Sequence, residues 1–160
     1  MNITYEDICK QRQNLDEKRQ ERKAKLQRDA GVLLASYQNS LSLEKPFWVD
    51  SRGQERPIVS TVYLNEKNLF EQQSFAALRL DENNRITFCI STVVHPGPNR
   101  GDYYLVTVAM WYEEGILRVV LNEGESDIAV TNPEKEDSFL EVNNVIKLLI
   151  MSSFIDPRLD

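Results

Sequence analysis

The 160-residue chain holds one histidine, two cysteines and six glycines, and these scarcities remove most catalytic chemistry. A Ser/His/Asp or Cys/His site needs a base within hydrogen-bond reach of its nucleophile, and His95 is the only imidazole available. No G-x-S-x-G elbow accompanies it. Cys89 stands six residues before His95 on one expected strand, about 20 Å away along an extended chain. Asp102 comes opposite His95 if a hairpin joins them, but an acid–histidine pair without a nucleophile is no hydrolase. Cys9 and Cys89 lack a C-x-x-C spacing or a local partner, which excludes the common zinc frameworks. They read as small hydrophobes in a reducing compartment. G-x-x-x-x-G-K-[ST] and G-x-G-x-x-G are both absent, so no phosphate cradle is expected. Glu123, Glu125, Asp127 and Glu134 mimic the oxygen-ligand spacing of a calcium loop. That likeness fails because Ile128 occupies the glycine position and a strand precedes the loop. Catalytic residues, metal ligands and cofactors are therefore all expected to be none.

Long apolar runs are missing too. The most apolar stretch, Val145 to Ile155, is interrupted by Lys147 and is too short to span a bilayer. MNITYEDICK has no apolar signal region. The expectation is a cytoplasmic protein with no membrane contact.

What is present is a globular composition, 41% hydrophobic and 28% charged, in a chain long enough for one domain with a real core. The net charge of −6 is unevenly placed. Residues 10–28 carry eight basic and three acidic side chains, a net +5; the other 141 residues carry 11 basic and 22 acidic ones, a net −11. Arg12, Lys18, Arg19, Arg22, Lys23 and Lys25 are the candidate residues of this basic arm.

Residues 4–30 read as a long helix. Thr4 and Asp7 make a near capping box, and Gln, Arg, Lys, Glu and Ala fill the interior. The arm is polar nearly all round, so it projects, pairs with a chain, or lies on an acidic surface. From Ala30 to Leu43 the apolar density rises and this half docks on the body, with Gly31 marking a kink or a break into two helices. Pro46 ends the helical part. Strands follow near 47–50, 56–64, 75–81, 85–94, 102–112, 116–122 and 128–131, joined by short turns that favour antiparallel neighbours. Residues 65–74 read as a helical turn or a longer loop. A closing helix from about Glu134 to Phe154 shows a strong apolar face, with Asn132 as its cap and Pro133 at its first position.

The expected fold is α+β: a long N-terminal helix or two helices, an antiparallel meander of about six strands, and a C-terminal helix packed on the sheet. Segments 1–43 and 44–160 form one folding unit. Strand 102–112 is apolar on both faces, so the second face needs a cover. The curled sheet itself is favoured for that role, ahead of loop 65–74 or a partner chain.

This profile leads to a non-enzymatic acidic module that binds another protein, a basic one by charge. It looks like small acidic binding proteins in general, such as secretion chaperones or toxin-neutralising immunity proteins of bacteria or phage. The candidate contacts are Tyr103, Trp111 and Tyr112 with Glu113, Glu114, Glu123, Glu125 and Asp127, aromatic anchors ringed by charge. The N-terminal helix offers a homodimer contact. Two alternatives stay open: an α+β cone binding a small molecule or acting as an enzyme near His95, and a nucleic-acid-associated protein using helix 10–28. The lack of aromatics in 10–28 argues against the last. The loop 95–101, stiffened by Pro96 and Pro98, is a candidate recognition tip.

Overall fold

The computed structural model describes residues 1–64, 67, 69–95 and 102–159. Loop residues 96–101, where the recognition-tip reading of 95–101 falls, lie outside the described residues.

Helix α1 runs unbroken from Tyr5 to Ser40. Its start is a full capping box: the Asp7 amide donates to Thr4 Oγ1 (3.2 Å) and the Thr4 amide donates to Asp7 Oδ2 (2.9 Å). The expected kink at Gly31 does not occur. The glycine faces Phe75, and helical bonding continues through it.

Among the described residues eight strands follow: β1 (Phe47–Val49), β2 (Glu55–Pro57), β3 (Val59–Leu64), β4 (Phe70–Gln72), β5 (Ile86–His95), β6 (Asp102–Glu113), β7 (Ile116–Leu121) and β8 (Ser126–Val130). Six form one antiparallel sheet in the order β4-β3-β5-β6-β7-β8, while β1 and β2 pair as a separate ribbon. Helix α2 (Leu140–Ser152) closes the chain. The fold is α+β, with an antiparallel sheet of six strands and a C-terminal helix, the class the sequence pattern predicts.

Alternation along the strands gives the sheet two unlike faces. Phe88, Ile90, Val106, Val108, Met110, Leu117, Val119 and Leu121 point to the helices and are buried with Leu26, Ala30, Leu33, Phe139, Val142 and Ile146. Two polar pairs join this layer. The Tyr37 hydroxyl and Thr92 Oγ1 share a hydrogen bond of 2.8 Å, and Asn143 Nδ2 donates to Ser36 Oγ at 2.8 Å. Lys147 Nζ donates to the Ser40 carbonyl at the end of α1 (2.9 Å), a carbonyl with no helical partner of its own.

Several expected boundaries move. Residues 75–81 form no strand: Ser74 caps a single 3₁₀ turn at Phe75–Ala77. Phe75 then sets its ring edge-on to Phe88, with centroids 5.7 Å apart. Gln27 holds this segment by donating to the Leu78 carbonyl (2.9 Å). The expected strand 56–64 divides at Ile58, one part pairing with β1 and the other with β5. Within 65–74 the chain supplies β4 instead of a helical turn. The closing helix starts at Leu140, six residues late, and Asn132 and Pro133 do not cap it. Bonds of the Lys135 amide to the Asn132 carbonyl, the Ser138 amide to the Lys135 carbonyl and Ser138 Oγ to the Pro133 carbonyl wind 132–138 into turns, with Asp137 at φ 61°.

Docking of α1 also begins earlier than Ala30. Leu26 is fully buried inside the basic stretch, and contact with the body starts at Arg19. Residues 5–18 extend beyond it and are exposed, a length of about 21 Å at 1.5 Å per residue.

Candidate functional site

The sheet face turned away from the helices carries Tyr103, Leu105, Thr107, Ala109 and Trp111 from β6, with Ile116, Arg118 and Val120 from β7. Leu105, Ala109, Trp111, Ile116 and Val120 are half-buried. Among the described residues the β1–β2 ribbon leans over one end of this side, near Ser60, Ser91 and Leu105, where it encloses a groove.

Trp111 lies at the centre of the open part. Register sets it opposite Arg118 on β7. The Arg85 guanidinium sits 4.0 Å from the ring centroid, a cation–π contact. The Asp81 turn aims Arg85: its Oδ1 accepts from the Arg85 amide at 3.0 Å, and the Asp81 amide donates to the Arg85 carbonyl. Arg118 pairs with Asp127 on the neighbouring strand at 2.6 Å. The Nε atoms of both arginines are buried without a hydrogen-bond partner among the described residues. An indole flanked by two guanidiniums, one neutralised, forms the middle of the face.

The acidic candidates lie at its margins. Glu113 and Glu114 are exposed at the β6–β7 turn, where Glu114 and Gly115 at φ 52° and 79° make the tight hairpin link. Glu123 and Glu125 are exposed at the opposite end, beyond β7. Asp127 shares the face from edge strand β8, and Tyr103 is 55% exposed at the start of β6.

Tyr112 is elsewhere. Strand alternation turns it to the helix side, where Lys25 Nζ (4.1 Å) and the Arg22 guanidinium (5.1 Å) lie over its ring and its hydroxyl donates to Asp29 Oδ2. Burial, then this bond to a carboxylate, push the Tyr112 hydroxyl far above its usual pKa of 10.0. Burial likewise raises the Asp29 carboxyl above its usual 3.8, against the lowering effect of the tyrosine bond. Tyr112 therefore joins α1 to the sheet and is separated from Trp111 by the thickness of β6.

The basic candidates divide in the same manner. Arg12 and Lys18 are exposed on the projecting turns, with Arg12 paired to Asp16 at 3.2 Å. Arg19 bonds Asn84 Oδ1 and the Asp81 carbonyl, Arg22 and Lys25 cover Tyr112, and Lys23 is half-buried. The arm is thus half projection and half dock.

Sequence reasoning missed Trp48, Asp50, Arg56 and Arg85. The signal for the ribbon was present in FWVD followed by Ser51-Arg52-Gly53, but nothing local shows that it folds over the sheet. Among the described residues no group of three His, Cys, Asp or Glu side chains is placed to hold a metal ion, and no helix is long and apolar enough to cross a membrane. Compared with protein-family models, curated proteins and solved structures, the chain shows no match.

Proposed function

We propose that this protein is a non-enzymatic binding module for another protein, and that the open face of β6 and β7 around Trp111 is its contact surface. The observation that carries the reading is the row Leu105, Ala109, Trp111, Ile116 and Val120, half-buried on the sheet face opposite the helices. Aromatic anchors at the centre of a surface with charge at its rim are the usual energetic core of an interface. Glu113, Glu114, Glu123 and Glu125 form that rim and favour a basic partner, for which charge sets the association rate more than the affinity. In this reading the protein works in the cytoplasm without a cofactor.

The test is affinity capture from the native cell with wild type, Ile116→Glu and Trp111→Ala, each checked for an unchanged urea midpoint. A partner held by wild type and lost by both variants supports the reading. Retention at full strength by both would sink it.

A homodimer through α1 is the second reading, favoured by Ile8 and Leu15. Both are exposed, yet they lie within about 20° of Leu26 and Leu33 around the helix at 100° per residue. Sedimentation equilibrium of wild type against Ile8→Glu/Leu15→Glu decides it, and a wild-type monomer rules it out.

A further inference from the structure

A groove lies between the ribbon and the sheet. It has a volume of about 230 Å³ and is lined by Trp48, Arg56 and Pro57 from the ribbon and by Ser60, Val62, Ser91 and Leu105 from the sheet. Ser60 and Ser91 are register partners, which puts two hydroxyls side by side on the floor. Val62 and Leu105 flank them with apolar surface. On the ribbon, Trp48 Nε1 is buried with no hydrogen-bond partner among the described residues, although a buried indole N–H ordinarily finds one.

Arg56 is held in place. Its Nε donates to Asp50 Oδ2 at 2.9 Å, and the other Asp50 oxygen accepts from the Arg52 and Gln54 amides at 2.9 Å each. A guanidinium has five N–H donors in a planar fork, and this bond uses the Nε one. The site therefore combines an oriented cation, two hydroxyls and apolar walls. Asp50 already balances one unit of charge, so a monoanion suits the groove better than a dianionic phosphate. A planar carboxylate matches the fork. The volume is below the roughly 300–1,000 Å³ of drug-sized sites, so the ligand is small.

We propose that this groove binds a small apolar monocarboxylate, its acid group on Arg56 and its aromatic or branched body between Trp48, Val62 and Leu105. This site adjoins the Trp111 face, sharing Leu105 and Tyr103 with it, but its ligand and its test do not depend on the protein-binding reading.

The probe is 3-phenylpropionate, with 3-phenylpropionamide as its uncharged control. The chain has two tryptophans, so Trp111→Phe leaves Trp48 as the sole fluorescent reporter, and calorimetry on wild type checks that this change is silent. Saturable binding at about millimolar dissociation constant or tighter is expected for so few heavy atoms. The amide and Arg56→Gln should each weaken it at least tenfold. Because Arg56 also holds Asp50, Ser91→Phe is the second variant: it fills the floor without touching the ion pair and should abolish binding. No saturable binding to wild type up to about ten millimolar overturns the proposal. So does equal affinity for acid and amide, or full affinity in Ser91→Phe.

Discussion

The Tyr112 hydroxyl donates to Asp29 Oδ2, which joins the central strand β6 to the docked half of α1 through a carboxylate only 5% exposed. Removing the hydroxyl leaves that acceptor desolvated and without its tyrosine donor. Tyr112→Phe is expected to cost about 1–3 kcal/mol, read as a lower urea midpoint with an unchanged slope.

The same pair sets a pH dependence. The Asp29 carboxyl is raised above 3.8 in the folded protein, chiefly by burial. Its contribution is fully present below the unfolded value and is lost as pH rises through the folded one. Asp50 runs the other way. Bonds from the Gln54 amide and Arg56 lower its carboxyl, so its contribution is present above 3.8 and is lost as pH falls through the folded value. The stability difference between wild type and Asp29→Asn should therefore decline as pH rises from about 3 to about 7. A flat or rising difference across urea titrations would contradict this.

Gly31 sits mid-helix, and a Cβ built there meets Phe75 Cδ2 at 3.8 Å, an ordinary contact. Gly31→Ala is expected to stabilise by about 0.5–1 kcal/mol by removing the glycine's excess unfolded-state freedom. Thermal melts check it.

Leu15 and Leu33 share one helix face but lie in different environments, 51% and 0% exposed. Leu33→Ala is expected to cost about 2–5 kcal/mol, and Leu15→Ala to stay within about 0.5 kcal/mol. Equal losses in denaturant melts would place the edge of the dock well before Arg19.

Those two leucines also show how far the sequence can be read. Local chemistry was legible: the Thr4–Asp7 cap, the turn residues and the alternation along β6 all formed as patterned. Docking was not. Leu26 is surrounded in sequence by Arg22, Lys23, Lys25 and Arg28, and only the fold shows that Arg22 and Lys25 lie over an aromatic ring. Gly31 suggested a break because propensity is local, whereas packing on both sides keeps the helix continuous. Asn132-Pro133 suggested a helix start, but backbone bonds within 132–138 and the one from Ser138 Oγ stabilise turns instead. At the candidate site, the sequence reading grouped Tyr112 with Trp111 although strand alternation puts them on opposite faces, and the position of Trp48 over Ser60 and Ser91 depends on a long-range fold-over with no periodic signature.

Both thiols are free, Cys9 exposed on α1 and Cys89 half-buried on β5 with its Sγ 3.9 Å from Thr107 Oγ1. Ellman's reagent on the native protein should titrate one thiol promptly and the second only slowly. Cys9→Ser should remove the fast phase.

Because α1 is one helix of 36 residues, its projecting end has no swivel between Thr4 and the sheet. Rotation of the body is passed along a rod, and orientation at the tip is orientation of the whole molecule. A fluorophore on Cys9 should then lose its anisotropy at the tumbling rate of the entire protein, after only the fast wobble of its own linker. Whatever engages the projecting turns is held at a fixed angle to the Trp111 face and to the ribbon groove.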